Sequence, residues 1–224
     1  MRQEWLEVFH GISWSSPLAL AVASGAVGSV ITLSWISVKE AGDRRRLRRD
    51  TALELALALE SYARTCRTMM HKAAWAAAES VRHSSGDAAE SVSVAGFAYP
   101  DKVQWGVLSR KVVPELREYP ATVHAARGYV EALREFGDPV DLCDQVEYEC
   151  AKAAKAALVL ARATRRRHGA ATWKPGAKDS SFERELVDFI ANAEEKRKAS
   201  LRERTPSVAS ARVERQPLDQ PLSA

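Results

Sequence analysis

Cysteines, histidines and paired carboxylates are the side chains through which this chain could do covalent or metal chemistry, and their spacing argues against it. Cys143 and Cys150 are the closest pair of thiols. On one unbroken helix their separation rises about 10.5 Å. That exceeds the roughly 7 Å between Cα atoms that a disulfide tolerates. It also keeps two thiolates from sharing one zinc at about 2.3 Å each. Cys66 stands far away in the chain, and no CxxC or HxxxH spacing occurs. All three cysteines fall on apolar helical stripes, where cysteine acts as a small hydrophobe. A low, odd cysteine count also suits a reducing compartment. No metal and no cofactor is expected. His10, His71, His83, His124 and His168 lie beside no serine or cysteine in a nucleophile motif, and there is no Gly-x-Ser-x-Gly or phosphate loop. His124 and His168 read as helix-surface or helix-end residues. Glu147/Glu149 and Glu183/Glu185 point to different helix faces, and neither helix carries the Glu-x-x-His of di-iron bundles. No catalytic residue is expected, and the chain reads as non-enzymatic.

The other chemistry-bearing groups are arginines. From Gly11 to Val38 no residue is charged; then come Lys39, Arg44, Arg45, Arg46, Arg48 and Arg49. Pro17–Val38 as a helix would reach about 33 Å, close to the roughly 30 Å hydrocarbon core of a bilayer. Trp5, Phe9 and Trp14 precede the run and Trp35 sits at its other end, as an interfacial aromatic belt would. A transmembrane helix is therefore expected over 13–38, with a short extracytoplasmic N-terminus over 1–12 and a basic juxtamembrane segment over 39–50. A cleaved signal peptide fits less well. Its leader holds Arg2 against Glu4 and Glu7, and the apolar run continues well past "ALAVAS". Only Arg2 is basic before the run, so the positive-inside rule places the C-terminal side in the cytoplasm. The expected location is a bacterial inner membrane, crossed once. The same arginines could hold anionic headgroups, although a topological stop signal is the plainer reading. Ala21, Gly25 and Ser29, and likewise Ser24, Gly28 and Thr32, repeat every four residues and would let two helices approach closely.

The elements that must position these groups read as helices. Hydrophobic residues make up 46% and charged residues 28% of 224, which fits a folded chain and excludes wholesale disorder. The net charge of +4 is small and clustered, so nucleic acid is not an expected partner. Leu55, Leu59, Tyr62, Cys66, Met69, Ala73 and Ala76 form a seam spaced alternately by four and three, predicting one long helix from about Arg45 to Ser84. It would be continuous with the span if Gly42 does not break it. Residues 85–104 lack helical period and read as a loop, with Asp101 a candidate cap for a short helix carrying Trp105 and Leu108.

A second stripe runs through Val112, Leu116, Tyr119, Val123, Ala126, Val130, Leu133 and Phe136, with Pro120 expected to kink or break it. "FGDP" then supplies Gly137 as a C-cap, Asp138 as an N-cap and Pro139 as a first helical residue. The third stripe is Cys143, Val146, Cys150, Ala153, Ala157, Leu160 and Thr164, acidic at its start, basic at its end and closed by Gly169. After a linker, Ser180 or Ser181 can cap a fourth helix carrying Phe182, Leu186, Phe189, Ile190 and Ala193. Beyond it the composition predicts a disordered tail. The expected fold is thus all-α: an N-terminal transmembrane helix, an antiparallel bundle of three long helices and a shorter fourth, and the tail. The corresponding ranges are 51–169 for the bundle, 170–203 for linker and last helix, and 204–224 for the tail.

"ATRRRH", Ala163 to His168, is a second basic cluster, placed where a helix dipole favours cations. With the uncharged run, "RRRLRRD", "LALALESYARTC", "YPDKVQW" and "LARATRRRHG" in view, the layout over roughly 15–170 resembles uncharacterised bacterial inner-membrane proteins. Those have a single span and an Ala/Arg-rich helical cytoplasmic domain. The resemblance implies no activity and no functional residues. The expected function is protein–protein interaction, including self-association through the seam of Leu55, Leu59, Tyr62, Cys66 and Met69. One alternative is a membrane-tethered binder of anionic lipid or nucleic acid through Arg44–Arg49 and Arg165–Arg167. Another is a phage-type envelope protein with a periplasmic domain, which the arginines oppose.

Overall fold

The computed structural model describes residues 17–177 and 179–204; side chains before Ser29, of Val30 and beyond Arg202 lie outside the description. The expected N-terminal segment 1–12, Ser13–Ser16 of the expected span, and 205–224 of the expected tail fall outside it as well. Five α-helices follow one another, and the described residues contain no strand. They are α1, Pro17–His83, α2, Asp87–Glu90, α3, Val113–Phe136, α4, Pro139–His168, and α5, Phe182–Arg204. A 3₁₀ turn at Trp105–Val107 precedes α3.

Helix α1 runs 67 residues without interruption. Gly42 does not break it, because a lone glycine costs only about 1 kcal/mol against alanine and helix formers flank it on both sides. Two other glycines have defined geometric work. Gly169 takes φ +62°, a left-handed conformation that ends α4 while the Gly169 and Ala170 N–H groups donate to Arg165 O. Gly137 instead caps α3 in extended backbone, and a Cβ there would meet Leu133 O at 2.6 Å. Asp138 caps α4 by accepting from Val140 N at 3.3 Å, with Pro139 in the first turn as expected.

α4 is the central element. Arg49 lies against Gly169 and Gly86 against Pro139, so α1 and α4 are antiparallel along their shared length. Tyr119 Oη donates to Ala153 O at 2.9 Å, setting α3 antiparallel to α4 on a second side. Arg162–Glu183 and Arg197–Gln145 set α5 antiparallel on a third. Ala154, Ala157 and Ala161 on α4 meet Ala52, Ala56 and Ala63 on α1, all buried, and these small side chains allow a close approach.

The chain between α2 and α3 is a packed strap. From Ser91 it returns along α1: Lys72 Nζ donates to Ser91 O, Tyr62 Oη to Ala95 O, and Arg48 Nε to Val107 O. Val92, Val94 and Leu108 are buried, and Phe97 packs between Tyr62, Tyr99 and Tyr119 at 4.7–5.1 Å between centroids. Arg134 donates to the carbonyls of Ala89, Glu90 and Val92, holding the strap's start.

Several expectations need correction. Residues 85–104 contain α2 and this buried segment, because the groove beside Tyr62 and Tyr119 accepts an extended chain. Gln104 rather than Asp101 precedes the 3₁₀ turn, without a side-chain cap. Met69 is only half-buried; Met70 is the buried methionine, because it stands four residues after buried Cys66 and three before buried Ala73 on one helical face. Phe136 is exposed, its stripe ending at Leu133 where α3 runs beyond its neighbours. Pro120 sits inside an unbroken α3. The last helix has 23 residues, one fewer than α3. Among the described residues no helix is long and apolar enough to cross a membrane, and the expected span over 13–38 begins outside those residues.

Candidate functional site

Helix α1 leaves the bundle at Asp50. Thr51 is buried; from Ser29 to Asp50 every described side chain is exposed. Lys39, Arg44, Arg45, Arg46, Arg48 and Arg49 therefore stand in solvent, where α1 meets the end of the bundle.

Two remote segments converge on the same place. Arg48 Nε donates to Val107 O at 2.8 Å, and Arg49 Nε lies 3.7 Å from where a Cβ on Gly169 would sit. His168 joins those segments to each other. It is buried, its Nε2 accepts from Ser109 N at 2.9 Å, and its Nδ1 lies 2.8 Å from Thr164 O. Acceptance at Nε2 leaves the proton on Nδ1, which donates to that carbonyl. His168 is the helix-end residue the sequence allowed, closing α4, but it is a buried clamp and not a surface residue, whereas His124 is exposed. Arg167 Nε adds a bond to Ser109 Oγ at 3.3 Å.

The result is a basic collar. Arg44–Arg46, Arg48, Arg49, Arg110, Lys111, Arg166 and Arg167 are exposed around one end of the bundle. The acidic residues among them are Glu40, paired with Arg44 at 3.4 Å, and Asp43, Asp50 and Glu115. A field of one predominant sign at one end attracts anionic surfaces and is screened by salt over about 8–10 Å.

Arg165 is not part of the collar. It is buried against Glu60, its Nε and Nη2 donating to the two carboxylate oxygens at 2.8 and 2.9 Å, and its Nη1 donates to Ala171 O at 2.6 Å. A bidentate pair with a third acceptor satisfies the guanidinium, so Arg165 holds α1, α4 and the following linker together. A charge on the helix's inward stripe could not also face an external phosphate. Glu60 is charged yet lies on the buried face of α1. The signal for its burial was present: it stands four residues after Ala56 and three before Ala63, both inward.

The expected helix seam is already occupied. Leu55, Leu59, Tyr62 and Cys66 are buried by the chain's own α4 and strap, so they offer nothing to a second copy. Cys66, Cys143 and Cys150 are free and buried. A hydrogen bond with Cys66, then burial, pushes the Cys150 thiol up and burial does the same for Cys143, whereas the hydrogen bond with Cys150 draws the Cys66 thiol down. Tyr62 and Tyr119 are raised by burial beside them. All three thiols are enclosed, which keeps them from an external reactant. No group of three or more His, Cys, Asp or Glu residues suited to a metal occurs among the described residues. No family model matches the chain, and no curated protein or solved structure shows significant similarity to it.

Proposed function

We propose that the chain is a single-pass membrane-anchored protein of a bacterial inner membrane. Its cytoplasmic helical bundle is held against anionic lipid by the basic collar and is presented there, without catalysis, to a protein partner. The observation that carries this reading is the convergence of Arg44–Arg49, Arg110–Lys111 and Arg166–Arg167 at the one end of the bundle from which α1 departs. The uncharged run from Gly11 to Val38 leads straight into that end. Ile31, Leu33, Trp35, Ile36 and Val38 are exposed and lie off the bundle core, and lipid would cover them. Each basic residue near an anionic surface contributes about 1 kcal/mol, so the collar orients the domain even though α1 already tethers it.

The full chain, reconstituted in vesicles of phosphatidylcholine with phosphatidylglycerol, tests this with spin labels at Gly106→Cys and Phe136→Cys. Gly106 is beside the collar with open space around it, and Phe136 is exposed at the opposite end. The Gly106 label should relax strongly against a nickel-chelating lipid, the Phe136 label weakly. The contrast should shrink in high salt or without phosphatidylglycerol. Equal relaxation at both positions, unaffected by salt, contradicts the reading.

Self-association is a second reading, now favoured by the outer part of α1 instead of the seam. Ile31 and Trp35 are exposed one turn apart and could meet a second copy. Crosslinking that depends on these side chains would support it.

A further inference from the structure

Next to the collar, the linker leaving α4 folds over the helix's last turns and forms one side of a cavity of about 280 Å³ that is partly open to solvent. Such a volume lies just below the range of drug-sized pockets, so it suits a small molecule. Its walls combine three kinds of group. Leu158 and Trp173 are apolar, Arg162, Arg165 and Arg166 are cationic, and Glu60 and Glu183 are anionic. Three arginines against two glutamates leave one positive charge.

The surplus can be assigned to one residue. Glu60 is engaged at both oxygens by Arg165, and Glu183 at both oxygens by Arg162 at 2.6 Å. Arg166 is exposed at the cavity and makes no hydrogen bond or ion pair among the described residues. Trp173 is half-buried and packs on the core, so its ring is a fixed wall. The Glu60–Arg165 pair lies behind it and keeps the linker closed through Ala171 O.

We propose that this cavity binds a small aromatic monoanion, an aryl carboxylate or sulfonate. The ring lies against Trp173 and Leu158 and the anionic group against Arg166, with the Thr172 hydroxyl at hand as a donor. The two glutamates select against more highly charged ligands, because a polyanion would meet Glu60 and Glu183 as well as the arginines. A partly exposed guanidinium and one aromatic wall give a modest affinity, a Kd on the order of 0.1–1 mM. The inference does not depend on the membrane reading.

The test uses the full chain in a nonionic detergent and 4-(trifluoromethyl)benzoate as the probe, followed by fluorine NMR. Saturable line broadening is expected with the benzoate and little with its neutral amide. Arg166→Gln and Trp173→Ala should each weaken binding by about five- to tenfold. Arg110→Gln, a collar change away from the cavity, should not. Because Arg166 is exposed and unpaired, its replacement leaves the fold intact, which circular dichroism checks. Absence of saturable broadening, equal broadening by the amide, or unchanged binding in Arg166→Gln would each overturn the proposal.

Discussion

From Ile31 to Asp50, helix α1 exposes its side chains, Ile31, Leu33, Trp35, Ile36 and Val38 among them. From Thr51 to Ala76 the same helix buries an inward stripe, with Leu55, Leu59, Cys66 and Ala73 wholly enclosed. Both halves are helical, so backbone propensity does not distinguish them. What differs is the partner. The inner half is amphipathic and meets α4, α5 and the strap, whereas the outer half mixes apolar residues with Thr32, Ser34 and Ser37, then turns basic, and touches the bundle only near its end through Arg48 and Arg49. The contrast assigns the bundle's stability to the inner half.

Breaking the inner half should cost most. Arg165→Ala strands the Glu60 carboxylate in the core and should lower stability by roughly 3–5 kcal/mol in urea denaturation. Arg165→Met with Glu60→Leu should recover most of that loss, because the pair is replaced by apolar bulk. Leu59→Ala opens a cavity at a fully buried site and should cost about 2–5 kcal/mol. Trp35→Ala on the outer half should leave the bundle's unfolding midpoint unchanged. A comparable loss at Trp35 would mean that the outer half packs on the bundle after all.

Smaller effects sharpen the boundary where the halves meet. Gly169→Ala forces a side chain to φ +62° at the point where α4 ends against Arg49, and should cost about 1 kcal/mol. The smallest effect lies far from the collar. Burial, then Asp141, raises the Asp144 carboxyl; burial, then Asp144, raises that of Glu147. A raised value means the folded chain holds the proton more tightly than the unfolded one. Their contribution is therefore favourable below the ordinary carboxylate range and is lost as pH rises through the raised folded values. Asp144→Asn with Glu147→Gln should stabilise the chain at pH 7 by less than about 0.5 kcal/mol, since both groups are largely solvated. The gain should vanish near pH 4.

Most of the helices were legible because their signals are local. Asp138-Pro139 and Gly169 fix the two ends of α4 through backbone geometry that neighbouring residues determine. The strap was not legible. Val92, Val94 and Phe97 carry no helical period, and their burial depends on a groove made by Tyr62 and Tyr119, which only the assembled helices create. The collar was half legible: its arginines stand out in sequence, but their meeting depends on the antiparallel return of α4. Arg165 shows the opposite case. It looks identical to Arg166 and Arg167 in the run "RRRH", and a rotation of one residue about the helix turns it inward onto Glu60.

The most direct test of the membrane account is topology, read from fusions after Ala224 to a fluorescent protein and to alkaline phosphatase in a bacterial host. A collar on the cytoplasmic face predicts fluorescence without phosphatase activity. Phosphatase activity without fluorescence would place the bundle on the far side of the membrane and contradict the account.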